Sequence, residues 1–207
     1  MVDQVEKISQ WLGTGSINIF GSPFAGKDTQ AQILADLFGG IMISSGDVLR
    51  RAHDNKRIQE IMSEGEIIPS DLFEALMLPY LSRPEFRGKP LVLSEIGRVL
   101  GEERIIMEAT ANSDHPMKAV VLLQLSEEEV WRRFEQAKVQ RDRGDRADDR
   151  DEVIKARLNE FQNKTLPVVE FYRNKGLLIE VDGTSSREEV TNQILEGLVS
   201  RVSMREG

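Results

Sequence analysis

Hydrophobic and polar positions divide the chain into short apolar runs and longer stretches with helical spacing. The apolar runs cover residues 16–20, 41–44, 91–93, 119–123 and 177–181. Runs this short are typical of buried strands. Between them, as at residues 27–37, the spacing is that of an amphipathic helix. The pattern therefore predicts five strands separated by helices.

The order of these elements limits the fold. Capping-box spacing marks helix starts at Ser126 with Glu129 and at Ser186 with Glu189. Strands joined through helices of this length need crossover connections, which favour a parallel sheet with helices on both faces. We expect an α/β fold with one main domain at residues 15–207. A helical extension is expected at residues 1–14, where apolar residues recur at helical spacing.

Composition and charge exclude several classes of function. The 207 residues carry a net charge of −8, include two histidines and contain no cysteine. Disulfides and thiolate metal sites are therefore excluded, and a zinc site is not expected. The acidic balance argues against nucleic acid as a partner, and no apolar run reaches membrane length. The N-terminus lacks a secretory pattern, so a cytoplasmic location is expected.

A glycine-containing loop follows the first predicted strand directly. Residues 21–29 read Gly-Ser-Pro-Phe-Ala-Gly-Lys-Asp-Thr. Gly21 and Gly26 allow the backbone to wrap an anion, the next helix adds its N-terminus, and Lys27 adds a full positive charge. This order predicts a site for the phosphates of a nucleoside triphosphate. Asp28 stands where a Mg²⁺-binding Ser or Thr is expected, and Thr29 follows it.

Residues 138–149 form a very different stretch, in which nearly every side chain is charged. Such a run has no apolar face to bury, so it is predicted to be a solvated loop or a lid.

Several segments resemble characteristic segments of the adenylate kinase family, in the same order and at about the same spacing. In chain order they are residues 26–30 (GKDTQ), 43–50 (ISSGDVLR), 65–70 (GEIIPS), 146–149 (RADD), 157–158 (RL), 165–167 (TLP), 171–172 (FY) and 181–184 (VDGT). The family carries G-K-G-T-Q, S-T-G-D-x-L-R, G-x-x-V-P-D, R-x-D-D, R-L, T-x-P, Y-Y and V-D-G-T there. The resemblance extends from about residue 16 to residue 184.

This resemblance implies a fold and an activity. The fold would be a P-loop NTPase-type three-layer α/β fold, with a five-stranded parallel sheet and helices on both faces. A monophosphate-binding helical insert would lie at about residues 44–76 and a short lid at about residues 137–149. The activity would be transfer of the γ-phosphate of ATP to AMP, giving two ADP, with Mg²⁺ as cofactor and the protein as a monomer.

The resemblance also implies residue roles. Those implied in the transfer are Lys27, Arg98, Arg146, Arg157, Asp148 and Asp149. Those implied in binding ATP are Gly21, Phe24, Ala25, Gly26, Lys27, Asp28, Thr29, Arg133, Arg141 and Ser185. Those implied in binding the monophosphate are Ser45, Arg50, Glu66, Ile67, Ile68, Glu95, Arg98 and Glu102. Phosphoryl transfer needs such a set because the protein's task is to position and neutralise charge.

Two departures from the family concern the metal. The family has an aspartate that helps to hold hydrated Mg²⁺ at the position of Ser94, and a glycine at the position of Asp28. We hypothesise that these changes compensate, so that the carboxylate of Asp28, or that of Glu95, serves the Mg²⁺ shell in place of the missing aspartate. Mg²⁺ prefers carboxylate and water ligands, which motivates the idea.

Two further departures concern the nucleotides. The glutamine that reads adenine in the family is replaced by Glu102, which can only accept hydrogen bonds and would suit the N–H pair of guanine better. The position of a lid-entry arginine of the family is occupied by Ala137, and Arg141, one turn further on, is the candidate to take its place. The acceptor therefore stays open between AMP and another monophosphate (GMP, UMP or CMP). A nucleotide-binding regulatory protein without transfer activity is the alternative from another class.

Overall fold

A sheet of five parallel strands organises the part of the chain that the structure describes. The computed structural model describes residues 2–52, 54–140 and 150–203. The strands are β1 (Ser16–Gly21), β2 (Ile41–Ser44), β3 (Leu91–Ser94), β4 (Met117–Gln124) and β5 (Leu178–Asp182). They lie in the order β2-β3-β1-β4-β5, and every neighbouring pair is parallel. The predicted parallel α/β sheet is confirmed.

Helices connect the strands and cover the sheet. They are α1 (Val2–Leu12), α2 (Lys27–Leu37), α3 (Ser45–Arg51), α4 (Lys56–Ser63), α5 (Ser70–Leu81), α6 (Glu102–Asn112), α7 (Glu127–Gln140), α8 (Asp151–Glu160), α9 (Leu166–Asn174) and α10 (Arg187–Ser203). A 3₁₀ turn (Pro84–Phe86) precedes β3, and a π-helical segment (Phe161–Thr165) joins α8 to α9. In the described ranges, no helix is both long and apolar enough to cross a membrane.

Two apolar cores lie on opposite faces of the sheet, because successive side chains of a strand point to opposite sides. On β1, Phe20 belongs to one core, whereas Ile17 and Ile19 belong to the other. Side chains of α5, α6 and α9 join the first core, and side chains of α1, α2 and α10 join the second. This three-layer arrangement is the one expected from the resemblance.

The strand order places a crevice at the end of β1. From β1 the chain crosses first to β2 and β3 on one side, and later to β4 and β5 on the other. Ligands of parallel α/β sheets bind at such a reversal, outside the carboxyl ends of the strands. Gly21 ends β1 there, and an added Cβ would lie 2.8 Å from the carbonyl oxygen of Leu123 on β4. Close strand packing therefore requires glycine at this position.

Candidate active site

The loop between β1 and α2 forms one wall of the candidate site. Phe24 and Gly26 have positive φ angles of 62° and 85°, and Gly26 immediately precedes α2. The N–H of Ala25 donates to the carbonyl oxygen of Ser22 at 3.2 Å, which closes a tight turn. The first N–H groups of α2 have no partner within the helix, so they are available to an anion. The loop thus has the conformation of a backbone anion site.

Lys27 lies at the centre of a charged cluster on this wall. Its Nζ donates to the carbonyl oxygen of Ser22 at 2.8 Å and lies 3.5 Å from Oε1 of Glu95. Oε2 of Glu95 lies 4.0 Å from Nη1 of Arg98. Glu95 follows β3 and has a φ angle of 56°, an uncommon conformation for a residue with a side chain. One carboxylate thereby lies between two cations at the carboxyl end of the sheet.

The electrostatics of this cluster favour an anionic ligand. Burial lowers the pKa of the Lys27 ammonium, because removal from water penalises its charged form. The carboxylates of Glu95 and Asp28 oppose this effect. The guanidinium groups of Arg157 and Arg98 add to it. The negative charge of a bound phosphate would stabilise all three cations.

Asp28 and Ser94 are joined by a hydrogen bond. The Ser94 hydroxyl, at the end of β3, donates to Oδ1 of Asp28 at 2.6 Å. This contact holds the Asp28 carboxylate beside the position at which the family has its aspartate. Asp28 and Glu95 together present hard oxygen donors to one cleft, and this donor chemistry fits Mg²⁺. No group of three or more His, Cys, Asp or Glu side chains among the described residues could hold a metal alone.

Arg133 connects the phosphate loop to the loop after β5. Its Nη2 donates to the carbonyl oxygen of Gly183 at 2.7 Å, and its Nη1 donates to that of Phe24 at 3.3 Å. Its Nε donates to Glu129 at 2.7 Å. Hydrogen bonds from Arg132 and Arg133 lower the pKa of Glu129 to about 2. Arg133 is thus held rigidly at the edge of the site.

The opposite wall comes from the helices after β2. Ser45 begins α3 and is buried, and Gly46 follows it. Nη2 of Arg50 lies 2.5 Å from Oδ1 of Asp47, and an added Cβ at Gly46 would lie 3.1 Å from that same nitrogen. The guanidinium group therefore folds back over the first turn of its own helix, close to residue 46.

The two walls enclose a cleft of about 630 Å³. Predicted site residues that line it are Phe24, Gly26, Lys27, Asp28, Thr29, Ser45, Arg50, Glu66, Ile67, Ile68, Glu95, Arg98, Glu102, Arg133 and Arg157. Gly21, Ala25 and Ser185 are not among the lining residues. Arg141, Arg146, Asp148 and Asp149 lie outside the described residues. One cleft thus collects most of the residues named for both nucleotides.

Some lining residues have no strong signal in the sequence. Arg187, the first residue of α10, adds a cation to the wall, and its carbonyl oxygen accepts a hydrogen bond from Gln30 at 2.9 Å. Its position shortly after the VDGT segment is the signal that could have indicated it. Gly65 lines the cleft too, and an added Cβ would lie 2.8 Å from the carbonyl oxygen of Val153 on α8. That contact joins segments far apart in the chain, so no local pattern indicates it.

The fold and the site together define a class of protein. A P-loop at the switch point of a parallel sheet faces an arginine-bearing wall across one cleft, as in phosphotransferases that bring two nucleotides together. The protein is a P-loop phosphotransferase of the nucleoside monophosphate kinase class.

Comparison with known proteins identifies the family. The family model described as Adenylate kinase matches residues 19–177. The chain is 33% identical over 189 residues to an adenylate kinase of Thermobifida fusca (strain YX), which covers 88% of this chain and 97% of the relative. It is 31% identical over 194 residues to an adenylate kinase of Parvibaculum lavamentivorans, which covers 91% and 93%. The chain belongs to the adenylate kinase family, which confirms the resemblance.

Proposed function

We propose that the protein transfers the terminal phosphoryl group of ATP to AMP and releases two molecules of ADP. The observation that supports this most directly is the meeting of two kinds of phosphate ligand in one cleft. The P-loop with Lys27 suits a triphosphate. Arg98, which lies beyond Glu95 from Lys27, and Arg50 on the opposite wall suit a monophosphate. A protein that binds only one nucleotide does not need residues for both a triphosphate and a monophosphate.

In the proposed reaction, a phosphate oxygen of AMP attacks the γ-phosphorus of ATP. The bond from that phosphorus to the β–γ bridging oxygen breaks, and ADP leaves as the former donor. The protein forms no covalent bond in this step, so its contribution is alignment and charge stabilisation. Lys27 would hold the outer phosphates of the donor, Arg98 and Arg50 the acceptor phosphate, and Arg157 the transferring group. Arg146, Asp148 and Asp149 stay predictions for lid closure, which would exclude water.

Mg²⁺ would be held at the carboxyl end of β3. Its residues are Asp28, which Ser94 positions at 2.6 Å, and Glu95. When bound, the ion neutralises charge on the donor phosphates. Mg²⁺ commonly uses one or two carboxylates plus water and substrate phosphates, which agrees with the absence of a larger ligand cluster among the described residues.

A coupled assay for diphosphate formation tests the proposed function. ATP and Mg²⁺ are supplied with AMP, GMP, CMP or UMP, and the initial rate is measured for each. We expect turnover with AMP. Turnover with another monophosphate alone would change the acceptor but keep the enzyme class. A rate at background level with all four would favour the alternative of a regulatory protein without transfer activity.

We expect Asp28→Asn to raise the Mg²⁺ concentration that gives half-maximal rate by about 10-fold, the effect of losing a carboxylate that acts on a metal through its water shell. The measurement is the initial rate at fixed ATP and AMP as free Mg²⁺ is varied. Calorimetric titration of an ATP analogue with a β–γ imido bridge, which cannot transfer its terminal phosphoryl group, with and without Mg²⁺ provides a second readout that does not depend on turnover.

Two further variants sharpen this test. Asp36→Asn removes a carboxylate from α2 at an exposed position bonded to Gln32, so its Mg²⁺ dependence should match that of the wild type. The double variant Asp28→Gly/Ser94→Asp restores the family's arrangement and should recover the Mg²⁺ dependence. An unaltered Mg²⁺ titration in Asp28→Asn would contradict the compensation between positions 28 and 94.

The proposal takes ATP and AMP as the partners and treats the protein as a cytoplasmic monomer. The net charge of −8 favours small phosphate compounds as partners, because they need only a local cationic cleft, whereas a nucleic-acid backbone needs a basic surface. Light scattering of the purified protein at assay concentration measures the oligomeric state, and a mass near 23.4 kDa is expected.

A further inference from the structure

Glu102 is a buried carboxylate at the wall of the cleft. It is the first residue of α6, lines the cleft and is only 2% exposed. A charged group is rarely buried to this extent unless polar partners satisfy it. Its partners therefore indicate what the residue does.

Three donors occupy the Glu102 carboxylate. Oε2 accepts from the N–H of Arg98 at 2.8 Å and from the N–H of Val99 at 3.1 Å. Oε1 accepts from the Ser70 hydroxyl at 2.6 Å. Each carboxylate oxygen has about two lone-pair sites, so Oε2 is filled and Oε1 has one site left.

This occupancy leaves little capacity to read a base. The N–H pair of guanine would need two free acceptors side by side, and Oε2 is already filled by backbone N–H groups. The edge of adenine would need one donor, which a carboxylate does not have. The interpretation of Glu102 as a reader of guanine, suggested by residue type alone, does not agree with these contacts.

The three donors come from two separate parts of the acceptor side. Arg98 and Val99 belong to the loop between β3 and α6, which turns through Gly97 and Gly101 at φ angles of 79° and 104°. Ser70 is the first residue of α5, in the helices that follow β2. Glu102 therefore ties the loop that presents Arg98 to the start of α5.

The Arg98 side chain has a buried hydrogen-bond donor that a ligand can satisfy. Its Nε is buried and has no hydrogen-bond partner among the described residues, and its Nη1 lies 4.0 Å from Glu95. A buried guanidinium nitrogen without a partner is costly unless an anion completes it. The direction in which Arg98 points then depends on its backbone, which Glu102 holds.

We propose that Glu102 is a positioning residue, which fixes the backbone of Arg98 against α5 and does not read the acceptor base. This inference rests on the proposed function, because it assigns Arg98 to the acceptor phosphate. The exchange relative to the family agrees with it: the family's aspartate at position 70 and glutamine at position 102 are replaced by Ser70 and Glu102. In this chain the carboxylate stands at position 102, whereas the family carries it at position 70.

The test uses substitutions at both ends of this contact in the 207-residue chain. Glu102→Ala should raise the KM for AMP about 10-fold or more, the effect of losing hydrogen bonds to a charged group, with the KM for ATP changed less than about 2-fold. Ser70→Ala removes one of the three donors and should raise the KM for AMP about 3-fold. Glu102→Gln should keep the KM for AMP near that of the wild type, because an amide oxygen can accept from both backbone N–H groups while its NH₂ donates to Ser70.

The base preference of Glu102→Gln separates positioning from base reading. If Glu102 is a positioning residue, the ratio of kcat/KM for AMP to that for GMP should stay within about 3-fold of the wild type. If residue 102 reads the base, the new amide donor should shift that ratio towards AMP by about 10-fold or more, as amide readout of adenine does. Glu103→Gln is the matched control: Glu103 is also 2% exposed, but its carboxylate accepts from the N–H of Gly101, and among the described residues it has no hydrogen bond to Arg98 or Ser70.

Other outcomes decide the inference as well. An unchanged KM for AMP in a folded Glu102→Ala protein would overturn it, with thermal unfolding reporting the fold. If Glu102→Ala does not fold, two other measurements decide the inference. They are the KM for AMP in Ser70→Ala and the ratio of kcat/KM for AMP to that for GMP in Glu102→Gln. If the wild type turned over no acceptor, the proposed function would fail by itself. Calorimetric affinities for AMP and GMP would then test Glu102: weaker AMP binding in Ser70→Ala would support the inference and unchanged binding would overturn it.

Discussion

Substitution of Lys27 by Met is expected to lower kcat on the order of 10³-fold, the scale that a single cation on a transferring phosphoryl group contributes. The Lys27 ammonium is held by the carbonyl oxygen of Ser22 at 2.8 Å, next to the start of α2. A methionine fills similar space without charge, so the loop should keep its shape while the donor phosphates lose their main charged ligand. Initial rates at saturating ATP and AMP measure this loss.

Lys7→Met provides the control, because Lys7 is exposed on α1. The rate of this variant should match that of the wild type.

The pH dependence of stability gives an independent readout for Lys27→Met. Burial lowers the pKa of Lys27 below its usual 10.5, so the folded state is penalised at low pH, where this group is charged in both states. The penalty disappears as pH rises from the lowered pKa towards 10.5, and Lys27→Met should lack that part of the rise in unfolding free energy. A loss of rate below about 5-fold would contradict the role of Lys27.

Arg98→Ala is expected to lower kcat/KM for AMP by about 10²–10³-fold, the range found when one preorganised charge-stabilising donor is removed. Arg98 reaches the cleft beside Glu95, and its buried Nε has no hydrogen-bond partner among the described residues. Removing the guanidinium group should leave the ion pair between Glu95 and Lys27 in place, so donor binding should change little. Varying AMP at saturating ATP, and then ATP at saturating AMP, separates the two effects.

Arg104→Ala is the matched control for this prediction. Arg104 lies on α6, and its side chain is 77% exposed. It lies 3.8 Å from Glu103 and over the ring of Phe171, and it is not among the residues that line the cleft. Its kcat/KM should equal that of the wild type. An equal rise in the KM for ATP and the KM for AMP in Arg98→Ala would contradict the assignment of Arg98 to the acceptor.

The sheet could be predicted from sequence because its signals are local. The predicted helix at residues 27–37 coincides with α2, and the predicted run at 41–44 coincides with β2. Buried strands of a parallel sheet are short continuous apolar runs, so burial on both faces is visible in composition alone. The P-loop is equally local, because a strand, a glycine turn and a helix start follow each other within a few residues.

The partners within the site could not be predicted in this way. Ser94 and Asp28 are separated by 66 positions, and Ser70 and Glu102 by 32, yet each pair forms a hydrogen bond of 2.6 Å. The residue types at positions 28, 94 and 102 differ from those of the family, which the sequence alone shows. Which atoms meet depends on how β3, α2, α5 and α6 pack together.

The sequence by itself determined the fold class, the donor loop at residues 21–29 and the family, because periodicity, glycine placement and ordered segments are properties of the chain. Only the tertiary structure decided how the acceptor wall is built. A carboxylate accepts hydrogen bonds from whichever donors the fold places beside it, and at Glu102 those donors are the backbone of Arg98 and Val99 and the hydroxyl of Ser70. The same residue type, read without its neighbours, suggested a base reader, whereas its satisfied contacts assign it to holding Arg98 in place.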